Sequence, residues 1–475
     1  MKSLWEQTWA HPNFGRLESD EITDVLIIGG GMAGVLCAYF LQQAGIPYVL
    51  AEEKTICSGI TKNTTAKLTS QHGLIYHKLI QTFGADRAQQ YLSANEAALQ
   101  KYRELCRHID CDFEEKSAYV YALHGKRKLE QELAALERLH FCAEFAEHLP
   151  LPFPVAGAVK FPNQAQFHPL KFISAISKDL HIYEHTPIRE LIGTTAVADG
   201  GRIRAKKVIV TTHFPFLNKH GSYFLKLYQR RSYVIALEHA ANVDGMYIDE
   251  AEDGLSFRNH GNLLLVGGGG HRTGKQGGGW HELRNFAAKH YPQAIEKYHW
   301  ATQDCMSLDG APYIGPYSAS TSGLYVATGF NKWGMTSSMV AAQILTSQIM
   351  GRNHPDAEVF SPQRFKPSAS AKMLIEETAH ATAGLSRTFF NPPRAELDAL
   401  SPGHGGIVEY DGKKAGVYKD EHGEIFVVSV QCPHLGCQLE WNSDEKSWDC
   451  PCHGSRFDYK GNLLDNPAQE DLPHA

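Results

Sequence analysis

Two short groups of cysteine and histidine near the end of this 475-residue chain have the composition of a metal-binding site. The first group contains Cys432 and His434, and the second contains Cys450 and His453. Together they offer two thiolates and two imidazoles, which are side chains that bind zinc ions and iron–sulfur clusters. The sequence therefore predicts that two loops come together around one metal centre.

The spacing within the two groups distinguishes between these kinds of centre. A zinc ribbon usually pairs two Cys-x-x-Cys knuckles, whereas the patterns here are Cys-x-His and Cys-x-x-His. In a Rieske-type 2Fe-2S cluster, two thiolates hold one iron and two imidazoles hold the other. We therefore expect Cys432 and Cys450 on one iron and His434 and His453 on the other, with a zinc site as the alternative.

The same two groups resemble the boxes of the high-potential Rieske proteins of cytochrome bc complexes, Cys-x-His-Leu-Gly-Cys and Cys-Pro-Cys-His-Gly-Ser. The resemblance implies a disulfide between Cys437 and Cys452 that joins the cluster loops. It also implies that the hydroxyl of Ser455 donates to a bridging sulfur. Many of these proteins have a tyrosine where this chain has Phe457. One hydrogen bond that raises the cluster potential is therefore expected to be missing.

A glycine motif near the start of the chain has the pattern of a dinucleotide-binding turn. Gly29, Gly31 and Gly34 form G-x-G-x-x-G after an apolar run and before a helical stretch. Such glycines permit a tight turn, close approach of the backbone to a pyrophosphate, and close packing of helix on strand. Glu52 ends the next apolar run, where a carboxylate can accept hydrogen bonds from ribose hydroxyls. Residues 24–52 are thus predicted to bind a nucleotide.

A later segment, residues 307–346, resembles the flavin-contacting segment of the D-amino acid oxidase and glycine oxidase superfamily. It has that family's Asp-Gly-x-Pro-x-Ile-Gly run, a strand ending in Ala-Thr-Gly, and a glycine turn that begins a helix. The resemblance implies FAD as the cofactor, with contacts from Gly329, Gly334, Met335 and Thr336. Backbone N–H groups at a helix start can stabilise the negative charge that develops on a reduced flavin.

This second resemblance covers roughly residues 20–350 and implies oxidation of a carbon–nitrogen bond. Members of the family that bind FAD covalently use a histidine or cysteine in specific motifs. Because His72 and Cys305 do not match those motifs, we expect non-covalent FAD. A second glycine cluster, residues 267–270, is followed by a sequence that cannot continue as a packing helix. We therefore expect a loop near the substrate or flavin, and no NAD(P)H domain.

The substrate-binding residues are not identified by any motif, and no residue can be assigned a catalytic role. Arg272 and His271 follow the second glycine cluster, where they could face a substrate carboxylate. Lys332 and Trp333 precede the predicted flavin helix. A surface or packing role is an equally good interpretation for each of the four.

Composition excludes some classes of partner. The formal net charge is −6, with no basic excess, so a nucleic-acid partner is not expected. The N-terminal residues have no secretory signal pattern. No apolar run reaches the roughly 18 to 20 residues that span a bilayer. We therefore expect a cytoplasmic protein without a transmembrane anchor.

The elements that must position these residues divide the chain into three parts. Strand-like and helical runs alternate through residues 1–360, which predicts an α/β, Rossmann-like FAD-binding domain with an inserted antiparallel-sheet substrate domain. Its nucleotide-binding segments are expected at about 20–80, 155–215 and 300–352. Residues 361–396 are predicted to be a linker. Short strands and turns in residues 397–475 predict an all-β Rieske domain.

Taken together, the two halves resemble bacterial, Bacillus-type FAD-dependent oxidoreductases fused to a Rieske domain. The resemblance implies that a small amine or amino acid reduces the flavin and that the cluster passes electrons singly to an external acceptor or redox protein. One alternative is an electron-transfer module that supplies electrons to a partner oxygenase or other redox protein. Another makes the Rieske fold a structural appendage or sensor.

Overall fold

The computed structural model describes residues 2–217, 220–364, 395–397 and 400–473. Most of the predicted linker, residues 361–396, therefore lies outside the described residues. No helix within the described ranges is long and apolar enough to cross a membrane.

The helices and strands of these residues have the following bounds. The α-helices are α1 (Leu4–Gln7), α2 (Met32–Gln43), α3 (Tyr76–Phe83), α4 (Ala85–Cys106), α5 (Arg127–Arg138), α6 (Pro169–Ser177), α7 (Gly279–His290) and α8 (Gly334–Ile349). The strands are β1 (Glu21–Ile28), β2 (Tyr48–Ala51), β3 (Lys67–Leu68), β4 (Glu114–Ala122), β5 (Glu144–Ala146), β6 (Gly157–Gln166), β7 (Ile182–Tyr183), β8 (Ile188–Ile192), β9 (Thr195–Ala198), β10 (Gly201–Val210), β11 (Leu227–Glu238), β12 (Met246–Asp249), β13 (Ser256–His260), β14 (Leu263–Arg272), β15 (Ile295–Ser307), β16 (Tyr313–Pro316), β17 (Leu324–Thr328), β18 (Ala395–Glu396), β19 (His404–Tyr410), β20 (Lys413–Lys419), β21 (Ile425–Ser429), β22 (Glu440–Asn442), β23 (Ser447–Asp449), β24 (Arg456–Asp458) and β25 (Leu463–Asp465).

The first sheet has the order β16-β17-β10-β1-β2-β7, with the β8-β9 hairpin attached to β10. Its central strands β17, β10, β1 and β2 run parallel. The carboxyl ends of parallel strands meet at one edge of a sheet, where nucleotides bind in this class of fold. Gly329, Thr211, Gly29 and Glu52 directly follow these four strands and therefore lie along the same edge.

The second sheet is larger and mostly antiparallel. Its order is β15-β11-β14-β13-β12-β4-β6-β3, with β5 beside β6, and β12 runs parallel to β4. The predicted nucleotide-binding segments 155–215 and 300–352 contribute strands to both sheets. Helices α2 and α4 both pack on α8 in the largest apolar core, which also includes side chains from both sheets.

The last 80 residues or so form two small sheets, ordered β18-β19-β20-β21 and β22-β23-β24-β25. Trp448 and Phe457 are fully buried in their core. The predicted fold class, an α/β FAD-binding fold followed by an all-β domain, is confirmed.

The second glycine cluster is an exception, because the predicted loop at residues 267–270 is part of strand β14. Glycine disfavours strands in general, but here the backbones come too close for side chains. A Cβ atom on Gly269, where φ is +58°, would lie 2.2 Å from the carbonyl oxygen of Gly279. The cluster thus lets α7 begin directly against the sheet.

Candidate active site and cluster site

A cavity of about 1350 Å³ connects the edge of the first sheet with the second sheet. Its lining includes Gly29 and Gly31, the segment from residue 329 to residue 335, and the glycine-rich part of β14. One wall comes from the C-terminal domain, through Glu445, Arg456, Leu463, Leu464, Asp465, Asn466, Ala468, Gln469 and Glu470. The nucleotide motif and the C-terminal domain therefore share one cavity.

The glycine motif has the backbone geometry of a nucleotide-binding turn. Gly29 has φ +105°, a conformation that side chains with a Cβ atom rarely adopt. A Cβ atom on Gly34 would lie 1.9 Å from the carbonyl oxygen of Gly29, so helix α2 can pack against the turn only with glycine there. Gly31 is the N-cap of α2 and lines the cavity. This arrangement fits a pyrophosphate at the helix start.

Glu52 lines the cavity at the end of β2. Its Oε2 atom accepts a hydrogen bond from the backbone N–H of Gly30 at 2.6 Å, and its Oε1 atom accepts one from Lys54 at 2.9 Å. Burial raises the pKa of Glu52, and these N–H donors oppose the rise. The carboxylate therefore also fixes the glycine turn, a role that the motif alone did not indicate.

Helix α8 begins at Gly334, and Gly334 and Met335 line the cavity. The hydroxyl of Tyr102 donates to the carbonyl of Met335 at 2.8 Å. Thr336 turns its hydroxyl into the core, where it donates to the carbonyl of Thr69 at 3.0 Å. The helix start is held in place by these contacts, and its first N–H groups have no partner within the helix.

His72 and Cys305 both line the cavity. The ring nitrogens of His72 already have hydrogen-bond partners, and the thiol of Cys305 is unreactive. The Nδ1 atom of His72 lies 2.6 Å from the hydroxyl of Tyr91, and its Nε2 atom lies 2.8 Å from the carbonyl of Thr69. Burial lowers the pKa of His72 to about 3, and its ring stacks on Trp333 at 4.8 Å. Burial raises the pKa of Cys305 to about 12, which leaves little of the nucleophilic thiolate.

The two cluster loops each close on themselves through backbone hydrogen bonds. The N–H of Cys432 donates to the carbonyl of Cys437 at 2.9 Å, and the N–H of Cys450 donates to Ser455 at 2.8 Å. The thiols of Cys432 and Cys450 are both buried. A hydrogen bond between them lowers the pKa of Cys432 and raises that of Cys450. A bound iron would hold both as thiolates.

The two histidines complete this donor set. The ring centroids of His434 and His453 lie 4.9 Å apart, with the planes at 86°. Burial lowers the pKa of His453 to about 3 and that of His434 to about 4, and metal ligation requires neutral imidazole. Among the described residues, the buried Nδ1 atom of His453 has no hydrogen-bond partner. Two thiols and two neutral imidazoles that converge in this way fit a 2Fe-2S cluster.

A disulfide joins Cys437 in the first loop to Cys452 in the second. The sulfur atoms of Cys437, Cys450 and Cys452 lie within 4.8 Å of one another, so the disulfide is adjacent to the thiol of Cys450. Ser455 is fully buried, and its hydroxyl oxygen accepts a hydrogen bond from the N–H of Ala468 at 3.0 Å. The same hydroxyl contributes to the lowered pKa of Cys432.

An ion-pair network across the two domains was not predicted from the sequence. Arg231 on β11 donates from Nε to Glu445 at 2.9 Å, and Arg456 donates from Nη2 to the same carboxylate at 2.8 Å. All three side chains are buried, with exposures of 3%, 9% and 5%. The only sequence signal was an arginine inside an apolar strand, since Glu445 lies in a segment that resembles a surface turn.

The structure places the four candidate substrate-binding residues in different environments. Arg272 donates to carbonyls of the second cluster loop, and His271 lies 2.9 Å from the hydroxyl of Tyr233 through its Nε2 atom. Lys332 lines the cavity and its Nζ atom lies 3.4 Å from the carbonyl of Glu252. Trp333 lines the cavity and stacks on His72. The structure thus brings Lys332 and Trp333 to the cavity, whereas Arg272 contacts the cluster domain.

Comparison with known families matches this arrangement of domains. The family model described as FAD dependent oxidoreductase matches residues 24–348. The chain belongs to this family. A second model, the Rieske [2Fe-2S] domain, matches residues 393–475. The oxidoreductase therefore combines an FAD-binding domain with a Rieske domain and has FAD and a 2Fe-2S cluster as cofactors.

Similar proteins match this oxidoreductase either over its whole length or over its first domain. YhfW of Bacillus subtilis (strain 168), which carries the name of a Rieske 2Fe-2S iron-sulfur protein, is 34% identical over 99% of this chain and 97% of its own. The glycine oxidase of Geobacillus kaustophilus has a TM-score of 0.59 at 19% identity, covering 73% of this chain and 100% of that chain. The L-proline dehydrogenase of P. horikoshii has a TM-score of 0.62 at 14% identity, covering 74% and 99%.

The two cofactors supply complementary redox chemistry when bound. A flavin accepts two electrons as a hydride equivalent, and a Rieske cluster carries one electron at a time. The glycine turn and the start of α8 would hold the flavin, and the thiol–imidazole donor set would hold the cluster. The chain is thus an FAD-dependent oxidoreductase with a second redox centre in the same chain, and its first domain has the fold of the glycine oxidase structure.

Proposed function

We propose that this oxidoreductase removes two electrons from a small amine or amino acid at FAD and passes them singly through the cluster to an external acceptor. The observation that carries the proposal is the shared cavity, which is lined by the glycine motif and by the Rieske domain alike. A flavin in this cavity would lie beside the domain that holds the cluster. Direct transfer within the chain is then the shortest route for the electrons.

The proposal assigns the cofactor contacts as follows. The FAD-binding residues are Gly29, Gly31, Gly34, Glu52, Gly329, Gly334, Met335 and Thr336, and the cluster ligands are Cys432, His434, Cys450 and His453. Gly34 acts by letting α2 pack on the glycine turn, and Thr336 acts through its backbone, because its hydroxyl donates to Thr69. The proposed domains extend over residues 1–360 and 397–475, with a linker at 361–396. Strand β18 pairs with β19, so the sheet of the Rieske domain extends two residues into this linker. The choice of a carbon–nitrogen substrate is supported by two proteins of similar fold, which are named as a glycine oxidase and an L-proline dehydrogenase.

Lys67 is the cavity residue best suited to bind a substrate carboxylate. Its Nζ atom lies 3.3 Å from the hydroxyl of Thr65, and no carboxylate among the described residues forms a salt bridge with it. Burial, and secondarily the charge of Arg258, lower the pKa of Lys67 to about 7. A substrate carboxylate would stabilise the charged ammonium and raise this pKa. An amino acid is therefore a better substrate candidate than a simple amine.

Anaerobic titration of the purified protein with a panel of amines and amino acids tests the proposal. We expect a member of the panel to bleach the flavin without NAD(P)H, after which the paramagnetic signal of the reduced cluster appears. Reduction by NAD(P)H or by a reduced redox protein alone would instead identify an electron-transfer module. Unchanged turnover in a cluster-free His453→Ala variant would make the Rieske domain a structural appendage.

Two lysine variants test the role of Lys67. Lys67→Met is expected to weaken flavin reduction by amino acids much more than by amines without a carboxylate, because only the former lose an ion pair. Lys78→Met is the matched control, since Lys78 also lines the cavity but is exposed. An equal effect of Lys67→Met on both substrate types would contradict this role.

A further inference from the structure

Three side chains of the FAD domain bind four consecutive carbonyl groups of the second cluster loop, at residues 451–454. Arg272 donates from Nε to carbonyl 451 at 3.2 Å and from Nη2 to carbonyl 452 at 3.3 Å. Gln229 donates to carbonyl 453 at 3.0 Å, and Gln303 donates to carbonyl 454 at 2.9 Å. The main chain next to cluster ligand His453 is thus bound at every residue by the other domain.

The two glutamine donors are themselves held in one orientation. The amide oxygen of Gln229 lies 3.0 Å from Nε2 of His213, and the amide oxygen of Gln303 accepts a hydrogen bond from Thr273 at 3.0 Å. Both glutamines are buried, with exposures of 2% and 0%. Because each oxygen already has a partner, each amide presents its N–H₂ group to the cluster loop without reorganisation.

The approach of the two domains at this point is close. Gly454 has φ +83°, and a Cβ atom there would lie 2.6 Å from Cβ of Gln229. The amide of Gln229 also donates to the carbonyl of Asn466 at 3.2 Å. Asn466 in turn donates to the carbonyl of Thr212 at 2.7 Å, directly beyond β10. These contacts leave no space between the loop and the FAD domain.

The two cluster histidines face different environments. His453 is 6% exposed and lies between the rings of Phe214 and Phe224 of the FAD domain, at 6.4 and 6.2 Å. His434 is half-buried, and the next residue, Leu435, is 45% exposed. The imidazole of His453 therefore faces the FAD domain, whereas the loop of His434 faces outward.

We infer that Arg272, Gln229 and Gln303 are positioning residues that keep the cluster docked on the FAD domain throughout turnover. Electrons then pass from flavin to cluster on the His453 side without movement of the Rieske domain. With both cofactors bound, the reduced flavin would give up its two electrons one at a time. Each electron would reduce one ferric iron of the cluster, and an external one-electron acceptor would take the first electron before the second follows. The inference rests on the proposed function only in its assumption that the flavin is the electron donor.

Flash photoreduction of the flavin, with 5-deazariboflavin as photosensitiser, tests the inference without any substrate. The rate of cluster reduction in the wild-type holoenzyme is expected to be independent of solvent viscosity, adjusted with glycerol. Gln229→Leu/Gln303→Leu removes three interdomain hydrogen bonds. Each lost hydrogen bond should lower the ratio of docked to undocked molecules roughly fivefold, so the loss of three should lower it about a hundredfold. The rate of cluster reduction in this double variant should be lower than in the wild type and should decrease further as the viscosity rises.

The controls separate docking from damage to the cluster. Gln363→Leu removes an exposed glutamine that donates to the carbonyl of Pro316 at 2.9 Å, away from the interface, and should behave as wild type. The midpoint potential and paramagnetic resonance spectrum of the cluster should be unchanged in the double variant. If that variant loses its cluster, Arg272→Met and Arg272→Lys replace it, and lysine should partly restore the rate.

Two results would overturn the inference. One is a wild-type rate that falls in proportion to viscosity, because the domain would then have to move. The other is a double variant that transfers electrons at the wild-type rate. Failure to find an amine substrate would affect neither measurement, so it would count only against the proposed function.

Discussion

Substitution of Glu445 by glutamine tests the buried ion pairs between the two domains. Burial would raise the pKa of this carboxyl, but Arg231 and Arg456 outweigh burial and hold the pKa at about 2. Relative to the usual value of 4.5, the depressed pKa corresponds to about 3 kcal/mol. Removal of one member of a buried ion pair typically costs about 3 to 5 kcal/mol. We expect Glu445→Gln to lower the free energy of unfolding of the Rieske domain by about 3 kcal/mol at pH 7.

The pH dependence of this loss has a definite sign. A carboxyl with a depressed pKa stabilises the folded state above its unfolded pKa, and the contribution disappears as the pH falls toward the folded pKa of about 2. The difference between wild type and Glu445→Gln should therefore be about 1 kcal/mol smaller at pH 4 than at pH 7.

Guanidinium chloride unfolding, followed by the visible circular dichroism of the cluster, measures both quantities. Glu421→Gln is the matched control, because Glu421 pairs with Lys446 in the same domain but is exposed, and exposed pairs contribute little. Equal midpoints for the two variants at pH 7, or a loss in Glu445→Gln that does not change between pH 7 and pH 4, would refute the reasoning.

Three further predictions concern the cofactors. Acid precipitation should release the flavin, because His72 and Cys305 form no attachment site; yellow colour left in the pellet would contradict this. The reduced protein should give a Rieske-type paramagnetic resonance spectrum that is lost in His453→Ala, and stoichiometric zinc without iron would exclude the cluster. Phe457→Tyr should raise and Ser455→Ala should lower the cluster potential, where about 59 mV changes the equilibrium constant tenfold; unchanged potentials in redox titration would show that neither side chain reaches the cluster.

The cofactor motifs could be identified from the sequence because their spacing is local. Gly29, Gly31 and Gly34 lie within one turn and helix start, and each cluster box occupies a single loop. The residue types within each box therefore indicate its chemistry without any knowledge of how the two loops meet. The packing around them follows from the same glycines, as the contact between Gly34 and Gly29 shows.

The interdomain contacts could not be identified in this way. Arg231 and Glu445 are 214 residues apart, and nothing in either local pattern indicates the other. The sequence makes Arg272 a candidate to bind a substrate carboxylate, but its guanidinium donates to carbonyl groups of the second cluster loop instead. A buried ion pair and a side chain diverted to another domain are tertiary properties, and they emerge only when the two domains are placed together.

The C-terminal wall of the cavity limits how freely this two-domain architecture can be recombined. Since Glu445, Arg456 and the segment from residue 463 to residue 470 line the same space as the glycine motif, a foreign Rieske domain would leave the flavin side open to solvent even if it carried an intact cluster. The two domains therefore form one interlocked unit, in which a change on one side of the wall must be matched on the other. Domain shuffling, which works for modules joined only by a tether, is expected to yield inactive chimaeras of this chain.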